Sequence, residues 1–148
     1  FPEVSLFSTL TKLNINQIDS SENIQNPKHR NLTFKQMLFK NFIFTRSVIL
    51  KRNIPYRFRK GLSEDYGLWL ECLESGLKCI RIESALAYHH RPEFKGGLSS
   101  SIFIHELYEL RNLVRYSYDY PLIVTSAVIF SIFKFVRRCM VTKLGRRM

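Results

Sequence analysis

The stretch "GLSEDYGLWLECLESG", Gly61–Gly76, carries the clearest structural signal in the chain and is the starting point for its fold. Apolar residues recur there and just beyond it at helical spacing on one face: Tyr66, Trp69, Leu70, Leu73 and Leu77. Ser63 offers an N-cap oxygen, and Gly76 stands where a helix would end. The stretch therefore predicts an amphipathic helix whose first turn holds two adjacent carboxylates, Glu64 and Asp65.

Extended segments are predicted on both sides of this helix. "NFIFTRSVILKR", Asn41–Arg52, is dense in β-branched and aromatic residues and indicates a strand, which the loop "NIPYRFRKGL" follows. "LKCIRIESALAYHH" predicts one or two short strands, with Ile80 and Ile82 on the face opposite Arg81 and Glu83. The polar segment "SSENIQNPKHRN" is typical of a turn-rich insertion. We therefore expect the order strand, loop, helix, strand.

The last third of the chain, from about Ile102, is helical in character, and Pro121 divides it into two helices. In the second helix an uncharged run, Tyr120–Phe133, is shorter than the roughly 20 residues that cross a bilayer. Basic residues follow it with no acid among them: Lys134, Arg137, Arg138, Lys143, Arg146 and Arg147. Two interpretations stay open, an interfacial helix at an anionic lipid surface or a packing helix with a solvated basic tail.

Composition limits the classes of protein and partner. The 148 residues suffice for one domain with a modest core, and 23 basic against 12 acidic residues give a formal charge of +11. Such a balance favours a polyanionic partner, which is a phosphorylated substrate, an anionic lipid surface or nucleic acid. Three cysteines without a CxxC pair predict a reduced, cytoplasmic protein. The N-terminus carries no secretory signal and is typical of the middle of a longer chain.

The acidic pair at the helix start has two interpretations. In a first turn, carboxylates meet unpaired backbone N–H groups and the positive end of the helix dipole, an arrangement worth about 0.3–1 kcal/mol. Capping alone therefore explains Glu64 and Asp65. The same surroundings stabilise a negative charge, which suits a general base that faces a cleft. Trp69, one turn later, is either a core residue packed against Leu73 or an apolar platform for a sugar ring.

The order of these features, more than any single one, points to a known family. The residues that carry the likeness are Ser47, Val48, Lys51 and Arg52 on the strand, Glu64, Asp65, Leu68 and Trp69 on the helix, and Tyr88 and Arg91 after the last strand. They resemble the second half of the catalytic domain of family 2 glycosyltransferases of the GT-A fold, which are inverting enzymes that use nucleotide-diphosphate sugars. The resemblance extends over roughly Val4 to Ser101 and implies an α/β fold, the C-terminal half of a Rossmann-like GT-A domain.

The resemblance also implies roles for single residues. Asp65 would be the general base that removes the proton from an acceptor hydroxyl, and Glu64 would orient the acceptor or support the loop. Substrate-binding residues implied in the same way are Trp69, His89, His90 and Arg91. A divalent metal, Mg²⁺ or Mn²⁺, would neutralise the leaving diphosphate.

The chain departs from the family pattern on the donor side. The family carries its nucleotide-binding strands and an Asp-x-Asp metal motif in the first half of the domain, and no Asp-x-Asp occurs among these residues. Where the family often has a histidine two positions after the arginine, this chain has Glu93. We therefore expect an acceptor-binding half, in residues 1–101, without the donor half.

Residues 102–148 are expected to form a helical extension, for which membrane association is one of the two open interpretations. The partners that follow from the resemblance are a nucleotide-sugar donor and a saccharide or lipid-linked acceptor. This places the expected activity in cell-envelope polysaccharide synthesis, at the cytoplasmic face of the cell membrane.

Two other classes of protein remain open. A non-catalytic basic module would bind nucleic acid through Lys28–Lys60, where Tyr56 and Phe58 alternate with arginines as in single-strand binders. No recognised nucleic-acid motif accompanies that stretch, so the transferase is favoured over it. An enzyme remnant that serves only as a partner-binding or membrane-attached surface is the third hypothesis.

Overall fold

The computed structural model describes residues 2–12, 27–61, 63–88 and 101–144. Its strands and helices are, in chain order, β1 (Leu6–Lys12), β2 (His29–Leu32), α1 (Phe34–Phe39), β3 (Val48–Leu50), α2 (Glu64–Glu74), β4 (Cys79–Tyr88), α3 (Ile102–Val114) and α4 (Pro121–Leu144). A 3-10 turn, Thr45–Ser47, leads into β3. The described chain is therefore of mixed α/β class, as the sequence predicts.

The strands form one mixed sheet in the order β2-β4-β1-β3. Its central pair, β1 and β4, is parallel, from Leu6 opposite Cys79 to Lys12 opposite Tyr88. The two outer strands, β2 and β3, run antiparallel to their neighbours. Since β1 and β4 run in the same direction, their carboxyl ends lie at one edge of the sheet, which we call the carboxyl edge.

The helix α2 supplies the centre of the hydrophobic core. Trp69 and Leu70 are fully buried there, together with Leu6 of β1 and Cys79 of β4. The helix ends as predicted, because Ser75 caps it and Gly76 takes a φ of 81°, a conformation that glycine adopts without a Cβ clash. The predicted helix and its end before Gly76 are confirmed.

The two C-terminal helices pack on the same core. Leu113 of α3 and Val124 and Ala127 of α4 belong to the buried cluster around α2. The division of the helical third at Pro121 is confirmed, since α4 begins at that residue. Among the described helices, none combines the length and the apolar content that crossing a bilayer requires.

A close contact joins α2 to α3. A Cβ at Gly67 would lie 3.0 Å from Oδ1 of Asn112, so the absence of a side chain permits the two helices to approach. The Asn112 amide donates to the carbonyl oxygen of Ser63 at 3.0 Å. The residue immediately before α2 is therefore fixed by a side chain of α3.

Several elements differ from the sequence predictions. The strand expected over Asn41–Arg52 is limited to β3, because a 3-10 turn occupies the preceding residues, with the Ser47 N–H donating to the Phe44 carbonyl at 2.8 Å. Residues His29–Asn31, predicted as part of a polar insertion, pair with β4 as β2. The polar composition of β2 fits its place at the border of the sheet, where β4 supplies its hydrogen-bond partners.

Candidate functional site

The first turn of α2 lies beside the carboxyl edge of the sheet. The Ser47 hydroxyl in the 3-10 turn donates to the Thr9 carbonyl of β1 at 3.1 Å, and β3 then starts opposite Ser8. The Thr45 hydroxyl, in the same turn, donates to Oδ2 of Asp65. In open α/β sheets, ligands bind outside the carboxyl ends of the parallel strands. Asp65 is therefore brought to the edge where a ligand is expected.

The Asp65 carboxylate is held from two sides. Oδ1 accepts a hydrogen bond from the backbone N–H of Tyr66 at 2.8 Å, and Oδ2 accepts one from Thr45. The side chain is half-buried, whereas neighbouring Glu64 is exposed. Each carboxylate oxygen has two lone pairs, so the carboxylate keeps acceptor capacity beyond these two bonds. The structure thus shows Asp65 as the fixed member of the acidic pair.

The predicted side-chain cap at Ser63 is wrong. Ser63 takes a left-handed backbone conformation, with φ 54° and ψ 32°, and its hydroxyl makes no capping hydrogen bond. N-cap residues usually have extended backbone, which aims the side-chain oxygen at the N–H groups of the first turn. In α2 the Asp65 carboxylate takes over part of that role through Tyr66. Among the described residues, no partner is found for the buried Ser63 hydroxyl.

Ser63→Gly is expected to raise the free energy of unfolding by up to about 1 kcal/mol. Glycine relieves the left-handed conformation, which costs other residues about 1–2 kcal/mol, although it adds about 0.4–1 kcal/mol of unfolded-state entropy. Ser63→Ala is the matched control, because it removes the hydroxyl and keeps the strain. Urea unfolding would compare the two variants. A glycine variant less stable than the alanine variant would contradict the strain at this position.

Trp69 lies in the core, in agreement with the packing interpretation. Its side chain is 1% exposed, and the Phe58 ring meets it edge-on with ring centroids 6.1 Å apart. A sugar platform needs an open aromatic face, and the ring presents none here. We therefore assign Trp69 to the core and not to a substrate contact. Its Nε1 is buried without a partner among the described residues.

His89, His90 and Arg91 lie outside the described residues. Their predicted substrate contacts stay a prediction; in the sequence they follow directly on Tyr88, the last residue of β4. Within the described ranges, no group of three or more His, Cys, Asp or Glu side chains is placed to hold a metal ion. The divalent metal that the resemblance implies therefore stays a prediction.

No family model, curated protein or solved structure matches the chain.

Thr45 is the site residue that sequence reasoning missed. It stands 20 positions before Asp65, in a segment predicted as regular strand. A contact over such a separation has no local pattern, since only the 3-10 turn brings the hydroxyl to the helix. A weak signal is the Thr-Arg-Ser sequence, Thr45–Ser47, which separates the apolar runs Phe42–Phe44 and Val48–Leu50.

A small cavity of about 10 Å³ lies between α1, α2, α3 and α4. Its polar lining includes Tyr66, Glu109, Ser131 and Lys134, and Asp65 does not line it. A space of this size holds about one water molecule, so no sugar enters it. Burial raises the pKa of Glu109, and nearby Glu106 adds to this, while His105, Lys134 and Arg138 oppose it. Burial also disfavours the charged form of Lys134, which for an amine lowers the pKa.

Glu109→Gln is expected to stabilise the fold at about pH 8 and to leave stability unchanged below about pH 4. A raised pKa means that the folded protein holds the Glu109 proton more tightly than the unfolded chain. Stability from this group is therefore present below the ordinary carboxyl pKa and is lost as pH rises through the raised one. Glutamine stays neutral and avoids this loss. Urea unfolding at both pH values measures the difference in the free energy of unfolding between the variant and the original chain. The same difference at both pH values would mean that packing, and not the charge of Glu109, causes it.

Many cations of the basic stretch are engaged within the protein. The guanidinium groups of Arg30 and Arg81 and the ammonium of Lys40 lie 5.0–5.4 Å from the centroid of the Phe42 ring. Arg59 binds Glu71 at 2.7 Å. Of the two aromatic residues proposed for base stacking, Tyr56 and Phe58, Phe58 is 54% exposed, and its ring already contacts Trp69. These contacts weaken the nucleic-acid hypothesis, which requires open cations beside open rings.

The buried thiols are unreactive. Burial raises the pKa of Cys72 to about 11 and that of Cys79 to about 12, so both are protonated near neutral pH. Both are free cysteines, as is the partly exposed Cys139. A nucleophilic role for Cys72 and Cys79 is therefore not supported.

Proposed function

We propose that the chain is the acceptor-binding half of an inverting, nucleotide-sugar-dependent glycosyltransferase of the family 2 type. The observation that carries the proposal is the half-buried Asp65 carboxylate, which Thr45 and the Tyr66 N–H hold at the carboxyl edge of the sheet. The order β3, loop, α2, β4 also agrees with the order of features on which the resemblance rests. The proposed finer fold is a partial GT-A domain followed by helices.

In this proposal Asp65 acts as the general base. It takes the proton of an acceptor hydroxyl while that oxygen attacks the anomeric carbon of the donor sugar. The bond from the anomeric carbon to the nucleotide diphosphate breaks in the same step, and the diphosphate leaves with the electron pair. One displacement from the opposite side inverts the configuration.

The neighbouring residues position the base and the acceptor. Thr45 acts as a positioning residue, because its hydrogen bond sets the plane of the carboxylate. Glu64 is exposed one residue earlier and is proposed to orient the acceptor. The donor nucleotide and any metal would be bound by residues outside these 148, since the Asp-x-Asp motif is absent from them.

The biological setting belongs to the proposal as well. An acceptor of cell-envelope polysaccharide synthesis, saccharide or lipid-linked, would present its hydroxyl to Asp65 at the cytoplasmic face of the membrane. The net charge of +11 supports a site that handles phosphorylated partners.

The test is turnover by the protein translated from the complete reading frame that contains these residues. The protein is incubated with a panel of nucleotide-diphosphate sugars and with envelope saccharide or lipid-linked acceptors, and release of nucleoside diphosphate is measured. We expect release that depends on the acceptor, with a product of inverted anomeric configuration. Absence of acceptor-dependent release across the panel by a folded protein overturns the proposal. Retention of random oligonucleotides that weakens steeply with salt would instead favour the nucleic-acid module.

A further inference from the structure

The helix α4 is apolar on the side that faces away from the core. Its most exposed residues there are Leu122 at 85%, Ile129 at 64%, Phe133 at 64%, Val136 at 46% and Met140 at 53%. They follow one another at steps of seven, four, three and four positions, so they lie along one line of the helix. Val124, Ala127 and Ser131, on the opposite side, are buried. A helix that only packs on its own domain would carry polar residues on the outer line.

The helix α3 packs behind α4 and not along its outer line. The Phe103 and Phe135 rings are 6.2 Å apart, and the Ser131 hydroxyl, on the buried side of α4, donates to Glu106 at 2.6 Å. We therefore assign the exposed apolar surface to α4 and call it the α4 face: Leu122, Ile129, Phe130, Ile132, Phe133, Val136 and Met140. Exposed apolar surface of this extent usually marks an interaction site.

The charge of the same segment is entirely positive. From Pro121 to the end of the sequence there is no acidic residue, whereas lysines and arginines follow Phe133 at short intervals. Arg137 is exposed and stands four positions after Phe133 and three before Met140, at the border of the face. Its guanidinium can therefore reach phosphate groups while the apolar residues sink below them.

We propose that the α4 face docks on an anionic lipid bilayer, with α4 lying flat among the headgroups. The apolar line enters the headgroup boundary, and Arg137 beside it meets lipid phosphates. Lys134 donates to the Phe39 carbonyl and Arg138 pairs with Glu106, so these two cations are engaged within the protein. At 1.5 Å per residue, the 24 residues of α4 lie along roughly 36 Å of the surface. The proposal does not depend on sugar transfer, since it follows from exposure and charge alone.

A second copy of the chain is a poorer occupant of this face. The steps of the outer line would suit a coiled-coil seam, but Phe130 and Ile132 on its two flanks are also exposed, so the apolar stripe is wider than such a seam. In a parallel pair the acid-free, basic ends of α4 would also lie near each other, where like charges repel. An anionic membrane complements both the apolar residues and the cations.

Vesicle co-sedimentation tests the proposal directly. One set of vesicles is phosphatidylcholine alone, and the other is phosphatidylcholine and phosphatidylglycerol in equal parts. We expect the full chain to bind the anionic vesicles, and to bind the neutral ones at least about tenfold more weakly. Equal binding to both, or binding to neither, overturns the proposal.

Two variants locate the contact. Ile129→Glu with Phe133→Glu is expected to weaken binding to anionic vesicles roughly a hundredfold, because two apolar side chains no longer leave water. Arg137→Glu is expected to weaken it at least about fivefold. The matched control is Ile49→Glu with Leu86→Glu, which makes the same change at exposed apolar residues of the sheet and should bind like the original chain. If the control variant lost as much vesicle binding as the Ile129 and Phe133 variant, the outer line of α4 would not be the lipid contact.

Two further readouts exclude simpler explanations. The thermal unfolding midpoint and circular dichroism of each variant should match those of the original chain, since the substituted residues are exposed. Light scattering of the vesicle-free chain should show a monomer at all concentrations. A dimer that the Ile129 and Phe133 substitutions dissociate, without any vesicle binding, overturns the proposal in favour of self-association.

Discussion

Asp65→Asn is expected to lower the rate of sugar transfer by about 10²–10⁴-fold, the usual contribution of a positioned general base. Asparagine keeps an oxygen that can accept from Thr45 or from the Tyr66 N–H, but its amide does not take a proton from an alcohol near neutral pH. The free energy of unfolding should fall by no more than about 1 kcal/mol, because the residue contributes only a first-turn carboxylate to the fold. Turnover of the complete protein and urea unfolding measure the two quantities.

Three companion variants separate chemistry from structure. Asp119→Asn removes an exposed carboxylate between α3 and α4 and should leave transfer unchanged. Glu64→Gln should raise KM for the acceptor with little change in kcat, if Glu64 orients it. Thr45→Val should lower kcat without loss of stability beyond about 1 kcal/mol, and Thr45→Ser should restore it, because the hydroxyl is what positions Asp65. An Asp65→Asn protein that is as active as the original would remove Asp65 from the proposed mechanism.

Trp69→Ala is expected to cost about 3–5 kcal/mol of stability, as large-to-small changes of buried aromatic residues do. The indole is 1% exposed at the centre of the core, so its removal leaves a cavity that neighbouring side chains fill only in part. Trp69→Phe should cost less, since a ring remains to contact Phe58. Denaturant unfolding of the purified chain measures both changes.

Phe58→Ala is the matched control for this prediction. Phe58 is the edge-on partner of Trp69, but it is 54% exposed and buries much less apolar surface. We expect a loss of about 1 kcal/mol for it. A Trp69→Ala chain that keeps its stability and loses affinity for saccharides would return Trp69 to the role of a sugar platform.

The elements that sequence analysis predicted well are those with local signals. The helix α2 combines a complete apolar periodicity with Gly76, and Pro121 marks the start of α4, so both follow from residues close in the chain. The strands β1 and β2 and the short helix α1 carry no such signal. Leu6 and Leu32 are buried because β4 and α2 cover them, which is a tertiary effect.

The candidate site was predictable only in part, for the same reason. Asp65 was singled out from the Glu-Asp pair and from the resemblance, but its hydrogen bond from Thr45 depends on a 3-10 turn within a segment that is typical of a strand. The choice between the two interpretations of Trp69 needed the burial of its ring, which helical spacing does not reveal. The outer line of α4 is visible in the sequence as apolar spacing, although its exposure is not.

The Asn112 contact to Ser63 has a consequence for how the chain is divided in experiments. The Asn112 side chain of α3 donates a hydrogen bond to Ser63, the residue before α2. Ending the polypeptide at Ser101 would remove this hydrogen bond from the turn that precedes Asp65. It would also expose the part of the core that contains Tyr66. A shortened protein of that kind would lose the rigidity of its acidic turn together with its last two helices. The two C-terminal helices thus stabilise the rest of the chain. Point substitutions will therefore separate their structural role from membrane binding better than a deletion would.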